Sequence, residues 1–188
     1  MSSKKLVFLS VAAGILLSAS IAVFLLKTSA RETSPRAEAK SGSRVLSPEA
    51  KTIDKPLPDA RLADLEGREM SSAELSKGRY LLVFLTSGCG PCVDEAGSIS
   101  RLLQSGPSPL RVYGVGVEKP GQVAGFVKDY DFKFPFVLDK DSGLRLGLDV
   151  RIFPSKFLVE DGVVKKAWYG KAPDDAALRR QLGFEEVK

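Results

Sequence analysis

The chain has 188 residues, a formal net charge of +5 and no histidine. Histidine is the commonest metal ligand and the commonest general base, so its absence argues against Ser-His and Cys-His hydrolases, zinc or iron sites and histidine-dependent copper delivery. The charge is no nucleic-acid signature: residues 1–55 hold nine Lys/Arg against four Asp/Glu, while residues 56–188 hold nineteen of each and carry no basic stripe.

Residues 6–26 are uncharged and interrupted only by Ser10, Gly14, Ser18 and Ser20. As a helix this run spans about 30 Å, the thickness of a bilayer core. Lys4 and Lys5 precede it and Lys27 follows it. We read residues 1–27 as a single membrane anchor. The competing reading is a signal sequence cut near Thr28-Ser29-Ala30. Either one exports the rest of the chain when the Lys4/Lys5 end stays cytoplasmic. Lys27, Arg31 and Arg36 on the far side weigh against that orientation. The expected location is a bacterial inner membrane, single-pass, with the C-terminal part on the periplasmic side. Residues 28–55 are Ser, Pro, Ala and charged residues with few large apolar side chains, the composition of a flexible tether. Residues 56–188 have the size of one domain.

Within that domain, residues 61–65 and 68–70 flank Glu66-Gly67 and predict a small hairpin. Ser71-x-x-Glu74 resembles a capping box opening a short helix. The apolar run 80–86 predicts a buried strand. It leads through Gly88 into Cys89-Gly90-Pro91-Cys92, and a helical pattern follows to about Gln104, ended by Gly106-Pro107. A strand at 110–117, a helix at 122–130, a short strand at 134–138 and a helical turn at 141–146 come next. Pro154 precedes a strand at 155–159. Asp161-Gly162 turns the chain into a strand at 163–169, and a helix at 174–182 closes the pattern. Strands separated by helices argue for an α/β domain with a mainly parallel sheet and an antiparallel hairpin at its end. Trp168, Tyr113 and Tyr169 fall in strand runs and are expected to pack. Lys165-Lys166 reads as charge guarding an exposed edge.

Cys89 and Cys92 are the only cysteines. A strand that delivers Cys-x-x-Cys to the first turn of a helix reads as a thiol–disulfide redox motif. The helix N-terminus has unpaired N–H groups and partial positive charge, which favour the reactive thiolate of Cys89. Cys92, one turn further on, is placed to attack a mixed disulfide on Cys89 and release the product. Gly90 keeps the approach open, and Pro91 fits a first turn that needs no N–H. The competing readings are a structural clip, whose loop is too small to stabilise much, and half of a metal site, for which two further ligands are not evident. The expected redox centre is the Cys89–Cys92 pair itself, with no other cofactor and no metal.

The chain resembles thioredoxin-fold proteins of the membrane-anchored TlpA/ResA-like type, within the redoxin (AhpC/TSA-like) superfamily. The resemblance covers roughly residues 57–182. It rests on the strand Leu81-Leu82-Val83-Phe84-Leu85, the dithiol Cys89-Gly90-Pro91-Cys92, Phe136-Val137-Leu138-Asp139, Phe153-Pro154-Ser155-Lys156-Phe157-Leu158-Val159 and Asp161-Gly162. It implies a central mixed sheet flanked by helices, an N-terminal hairpin extension, and an extra strand and helix between Cys92 and Pro154. It implies a cis-proline at Pro154 beside the dithiol, with the Phe153 backbone free to pair with an extended substrate. Glu95 is implied as a proton acceptor for Cys92; as a residue alone it also reads as part of a solvated helix face. The implied partners are protein thiol and disulfide clients, a membrane thiol-reductant donor and the membrane itself, often in cytochrome c maturation. The chain departs from the family pattern in three places: Gly88 replaces an aromatic residue, Val83 replaces the buried strand aspartate of many thioredoxins, and Phe153 replaces a smaller residue.

Two other functions compete. Thr86-x-x-Cys89 matches part of a peroxiredoxin-like peroxidase pattern, but Leu82 occupies its proline slot. Two soft thiolates also suit a non-catalytic Cu(I) or thiol binding module.

Overall fold

The structure is a computed structural model and describes residues 51–75, 77–108 and 110–184. In chain order the elements are β1 (Arg61–Asp64), β2 (Glu69–Ser71), a 3-10 turn (Ser72–Leu75), β3 (Arg79–Leu85), α1 (Gly90–Gln104), β4 (Arg111–Gly116) and α2 (Pro120–Tyr130). They continue with β5 (Phe136–Asp139), α3 (Gly143–Gly147), β6 (Ser155–Glu160), β7 (Val163–Tyr169) and α4 (Asp175–Gln181). Among these residues no helix is long and apolar enough to cross a membrane. The apolar run 6–26 and tether residues 28–50 lie outside the described residues.

Among the described residues, seven strands form one sheet in the order β2-β1-β5-β4-β3-β6-β7. Only β3–β4 and β4–β5 are parallel. The pairs β1–β2, β1–β5, β3–β6 and β6–β7 are antiparallel. The sheet is mixed, as the resemblance implies, with a parallel centre and antiparallel strands on both sides; the mainly parallel sheet read from the alternation of strands and helices is corrected. The reason is the N-terminal hairpin. Helical crossovers fix the direction of β3, β4 and β5, but β1 precedes any crossover and docks against β5 in the opposite sense.

β3 is apolar without alternation because both faces of the sheet are covered. Leu81, Val83 and Leu85 pack with Ala96 and Ile99 of α1, Val123 and Phe126 of α2, and Leu178 of α4. Tyr80, Leu82 and Phe84 pack on the other side with Leu75, Leu144 and Leu148. Gly114 on β4 is in register with Phe136 on β5, where a Cβ would lie 2.6 Å from the Phe136 ring. Ser71 donates its N–H to Glu74 (2.8 Å), the reach-back half of the capping box, although the segment is a 3-10 turn.

The outer edge of β7 is covered at its start, around residues 162–164. Asp54 N–H donates to Val164 O (2.8 Å), Val164 N–H to Lys55 O (2.9 Å) and Leu57 N–H to Gly162 O (2.7 Å). Thr52 is buried, and Lys165 ion-pairs with Asp54 (3.0 Å). Residues 52–55, part of the stretch read as tether, thus lie along the sheet edge that Lys165 and Lys166 were expected to guard.

Candidate active site

The end of β3 carries the chain through Thr86 and Ser87 to Gly88. Glu118, just beyond β4, accepts both the Ser87 N–H (2.6 Å) and the Ser87 hydroxyl (2.7 Å). Gly88 has φ +73, a backbone conformation that costs any residue with a Cβ, and the space around it is open. An aromatic residue at this position would have to change the turn.

Cys89 is the N-cap of α1. Its carbonyl accepts from Cys92 N–H (2.9 Å) and Val93 N–H (3.1 Å), and its sulfur accepts from Cys92 N–H (3.2 Å). The Cys92 N–H thus points at the sulfur that must carry negative charge when reduced. Cys89 and Cys92 are joined as a disulfide with Cα atoms 5.2 Å apart. Cys92 is fully buried and Cys89 half-buried; Gly88, Gly90 and Pro91 are exposed. One sulfur therefore meets solvent while its partner waits beneath.

The Phe153–Pro154 peptide bond is cis. The Phe153 carbonyl oxygen lies 3.8 Å from the Cys89 sulfur. Pro154 is buried, and its carbonyl accepts from Gly170 N–H (2.7 Å). Phe153 is half-buried and packs against both cores. The structure thus gathers Gly88, Cys89, Gly90, Pro91, Phe153 and Pro154 at one end of the sheet.

Glu95 is not part of a solvated face. It is 1 % exposed, and its carboxylate ion-pairs with Lys156, which is 0 % exposed. The other Glu95 oxygen accepts from Ala172 N–H (3.1 Å), and Lys156 also donates to Gly170 O (3.0 Å). Burial pushes the Lys156 ammonium below the ordinary lysine range, and the Glu95 carboxylate pulls in the opposite direction. Cys92 and Glu95 are three residues apart on the buried face of α1, the spacing that makes helical side chains neighbours.

Lys156 and Glu118 are site residues that sequence reasoning missed. Lys156 did leave a signal, a lone cation within the otherwise apolar strand Ser155-Lys156-Phe157-Leu158-Val159. Glu118 left none, because it binds Ser87 across 31 residues of sequence.

The AhpC/TSA family matches residues 53–167. The chain belongs to this family. It is 27 % identical over 118 residues to the thioredoxin-like protein YneN of Bacillus subtilis, covering 60 % of this chain and 69 % of that one. It is 29 % identical over 126 residues to the thiol-disulfide oxidoreductase ResA of Bacillus cereus, covering 63 % and 70 %. The crystal structure of StoA from Bacillus subtilis superposes with TM-score 0.55 at 26 % identity, covering 66 % of this chain and 96 % of that one. With this fold and a Cys-x-x-Cys disulfide at a helix N-terminus, the chain is an oxidoreductase of thioredoxin-like fold.

Proposed function

We propose that this protein exchanges disulfides with other proteins through Cys89 and Cys92, held outside the cytoplasm on a single N-terminal membrane anchor. The observation that carries the chemistry is the half-buried Cys89 at the start of α1, with fully buried Cys92 behind it and the Phe153–Pro154 loop alongside. Cys89 meets the client. An extended client strand pairs along the Phe153 backbone, and Cys92 resolves the mixed disulfide. Glu95 accepts the Cys92 proton. The two sulfurs are the whole redox centre. The uncharged run 6–26 behind Lys4 and Lys5 supports the anchor. The resemblance to the TlpA/ResA-like type extends the client class to apocytochrome c and requires a membrane thiol donor to restore the dithiol.

The test is reduction of insulin disulfides by the full chain with dithiothreitol as electron source. Turnover is expected in the parent and absent in Cys89→Ser, while Cys92→Ser should accumulate a mixed disulfide. Full turnover in Cys89→Ser sinks the reading. Equilibration with glutathione then gives the direction. A potential below about −220 mV marks a reductant, and one near about −120 mV an oxidant, which would remove the cytochrome proposal.

A further inference from the structure

Two charged side chains lie fully buried beneath the disulfide, and one of them has no place in the chemistry described so far. Lys156 is in register with Val83 on β3 and with Trp168 on β7. Facing residues on neighbouring strands lie side by side on the same face. The carboxylate comes from α1, packed on that face of the sheet, and the cation reaches it from β6. Lys156 has two partners, the Glu95 carboxylate and the Gly170 carbonyl. The second bond fixes the ammonium to the chain after β7 and so fixes where Glu95 can sit. A cavity of about 210 Å³ reaches Glu95 between α1 and α4, lined also by Ser98, Lys171, Asp174 and Asp175.

We propose that Lys156 is a positioning residue for the thiol chemistry: it holds the Glu95 carboxylate charged and in place for Cys92, with the cavity between α1 and α4 as the path by which the proton leaves. This rests on the exchange reaction proposed above. The reduced enzyme enters with Cys89 as thiolate and Cys92 as thiol. The Cys89 sulfur attacks the client disulfide, forming the Cys89–client bond while one client sulfur leaves as thiolate. Cys92 gives its proton to Glu95, and its sulfur attacks Cys89. The Cys89–client bond breaks, the second client sulfur leaves as thiolate, and the Cys89–Cys92 bond forms. The client gains two electrons and the enzyme loses two. The proton passes from Glu95 to water in the cavity, which restores the ion pair, and an external dithiol reduces the disulfide.

The groups facing the pair divide cleanly. Cys92 and Asp94 come from α1, and Asp94 is itself paired with Lys171 (2.8 Å). Asp174 and Asp175 come from the start of α4. Val83 and Trp168, on the flanking strands, do not titrate. Without Lys156 the buried Glu95 carboxylate keeps only the Ala172 N–H and, across the cavity, the half-exposed Lys171 already paired with Asp94, so nothing fixes it in place for Cys92. Cys92 then loses its acceptor.

The experiment follows single-turnover reduction of insulin disulfides by the reduced full chain from pH 5 to 9. Glu95→Gln and Lys156→Met should each slow the reaction at pH 7 by on the order of a hundredfold, the low end of what a placed proton acceptor supplies. Both should move the pH midpoint upward, and Lys156→Arg should restore most of the rate. The double variant should match Glu95→Gln in rate and midpoint, since Lys156 acts through Glu95. A parental midpoint in folded Lys156→Met overturns the proposal. So does a further tenfold loss in the double variant relative to Glu95→Gln, a comparison that holds even where Lys156→Met alone fails to fold. A parent that leaves insulin intact overturns the exchange reading as well; a parent that turns over confines the failure to Lys156.

Discussion

The ion pairs at the two ends of the sheet are chemically alike and physically opposite. Around the N-terminal hairpin, Arg61 pairs with Asp141 (2.6 Å) with side chains 78 % and 50 % exposed, and Lys140 pairs with Glu69 (2.6 Å) in similar exposure. Beneath the dithiol, Glu95 and Lys156 are paired with essentially no exposure. Water already solvates the exposed pairs, so each contributes roughly 0–1 kcal/mol. The buried pair has lost that solvent, and its attraction does little more than offset the loss. Charge at the hairpin is surface dressing. Charge on the buried face of α1 brings the fold little net stability.

That contrast can be broken at several points. Lys156→Met leaves a buried carboxylate unpaired and should cost about 3–5 kcal/mol in urea unfolding of the oxidised protein. A loss no larger than that of a surface pair would dissolve the distinction. Removing both charges in Glu95→Gln/Lys156→Met should bring stability back to within about 2 kcal/mol of the parent, because well-packed neutral side chains replace a buried pair at little cost.

Tyr80 sharpens the comparison, as a buried polar group with nothing to do. Its hydroxyl is buried with no hydrogen-bond partner among the described residues, and burial pushes its pKa up to about 12. Tyr80→Phe should hold or raise stability by up to about 1 kcal/mol at neutral pH. The native phenol keeps its proton where the unfolded one, near 10, has lost it. Its contribution is therefore complete below pH 10 and lost as pH rises toward 12. Denaturant midpoints across that window should fall less steeply in the phenylalanine variant. Smallest of all, Arg61→Ala should change stability by less than about 0.5 kcal/mol, and a loss above about 1.5 kcal/mol would show that the hairpin pairs do more than their exposure allows.

What was legible in the sequence is what short-range physics decides. A strand that is apolar at every position has to be covered on both faces. Cys89, Gly90, Pro91 and Cys92 build their own helix cap, since every hydrogen bond of that cap spans three or four residues. Pro154 could be placed because it directly precedes the next strand. Sequence alone left Glu95 open between a solvated face and a role at the thiols, since burial is not a property of one helix.

Tertiary structure decided the rest. It set β1 antiparallel to β5, laid residues 52–57 along β7, and tied Ser87 to Glu118. It also joined Glu95 to Lys156 across 61 residues and to Ala172 across 77. Each of these depends on which segments meet in space. A lysine in a strand is solvated or paired according to what packs above it, and local propensity holds no record of that neighbour. The sequence by itself determined that this chain presents a redox dithiol on a helix; only the folded sheet determined which buried charges stand behind it.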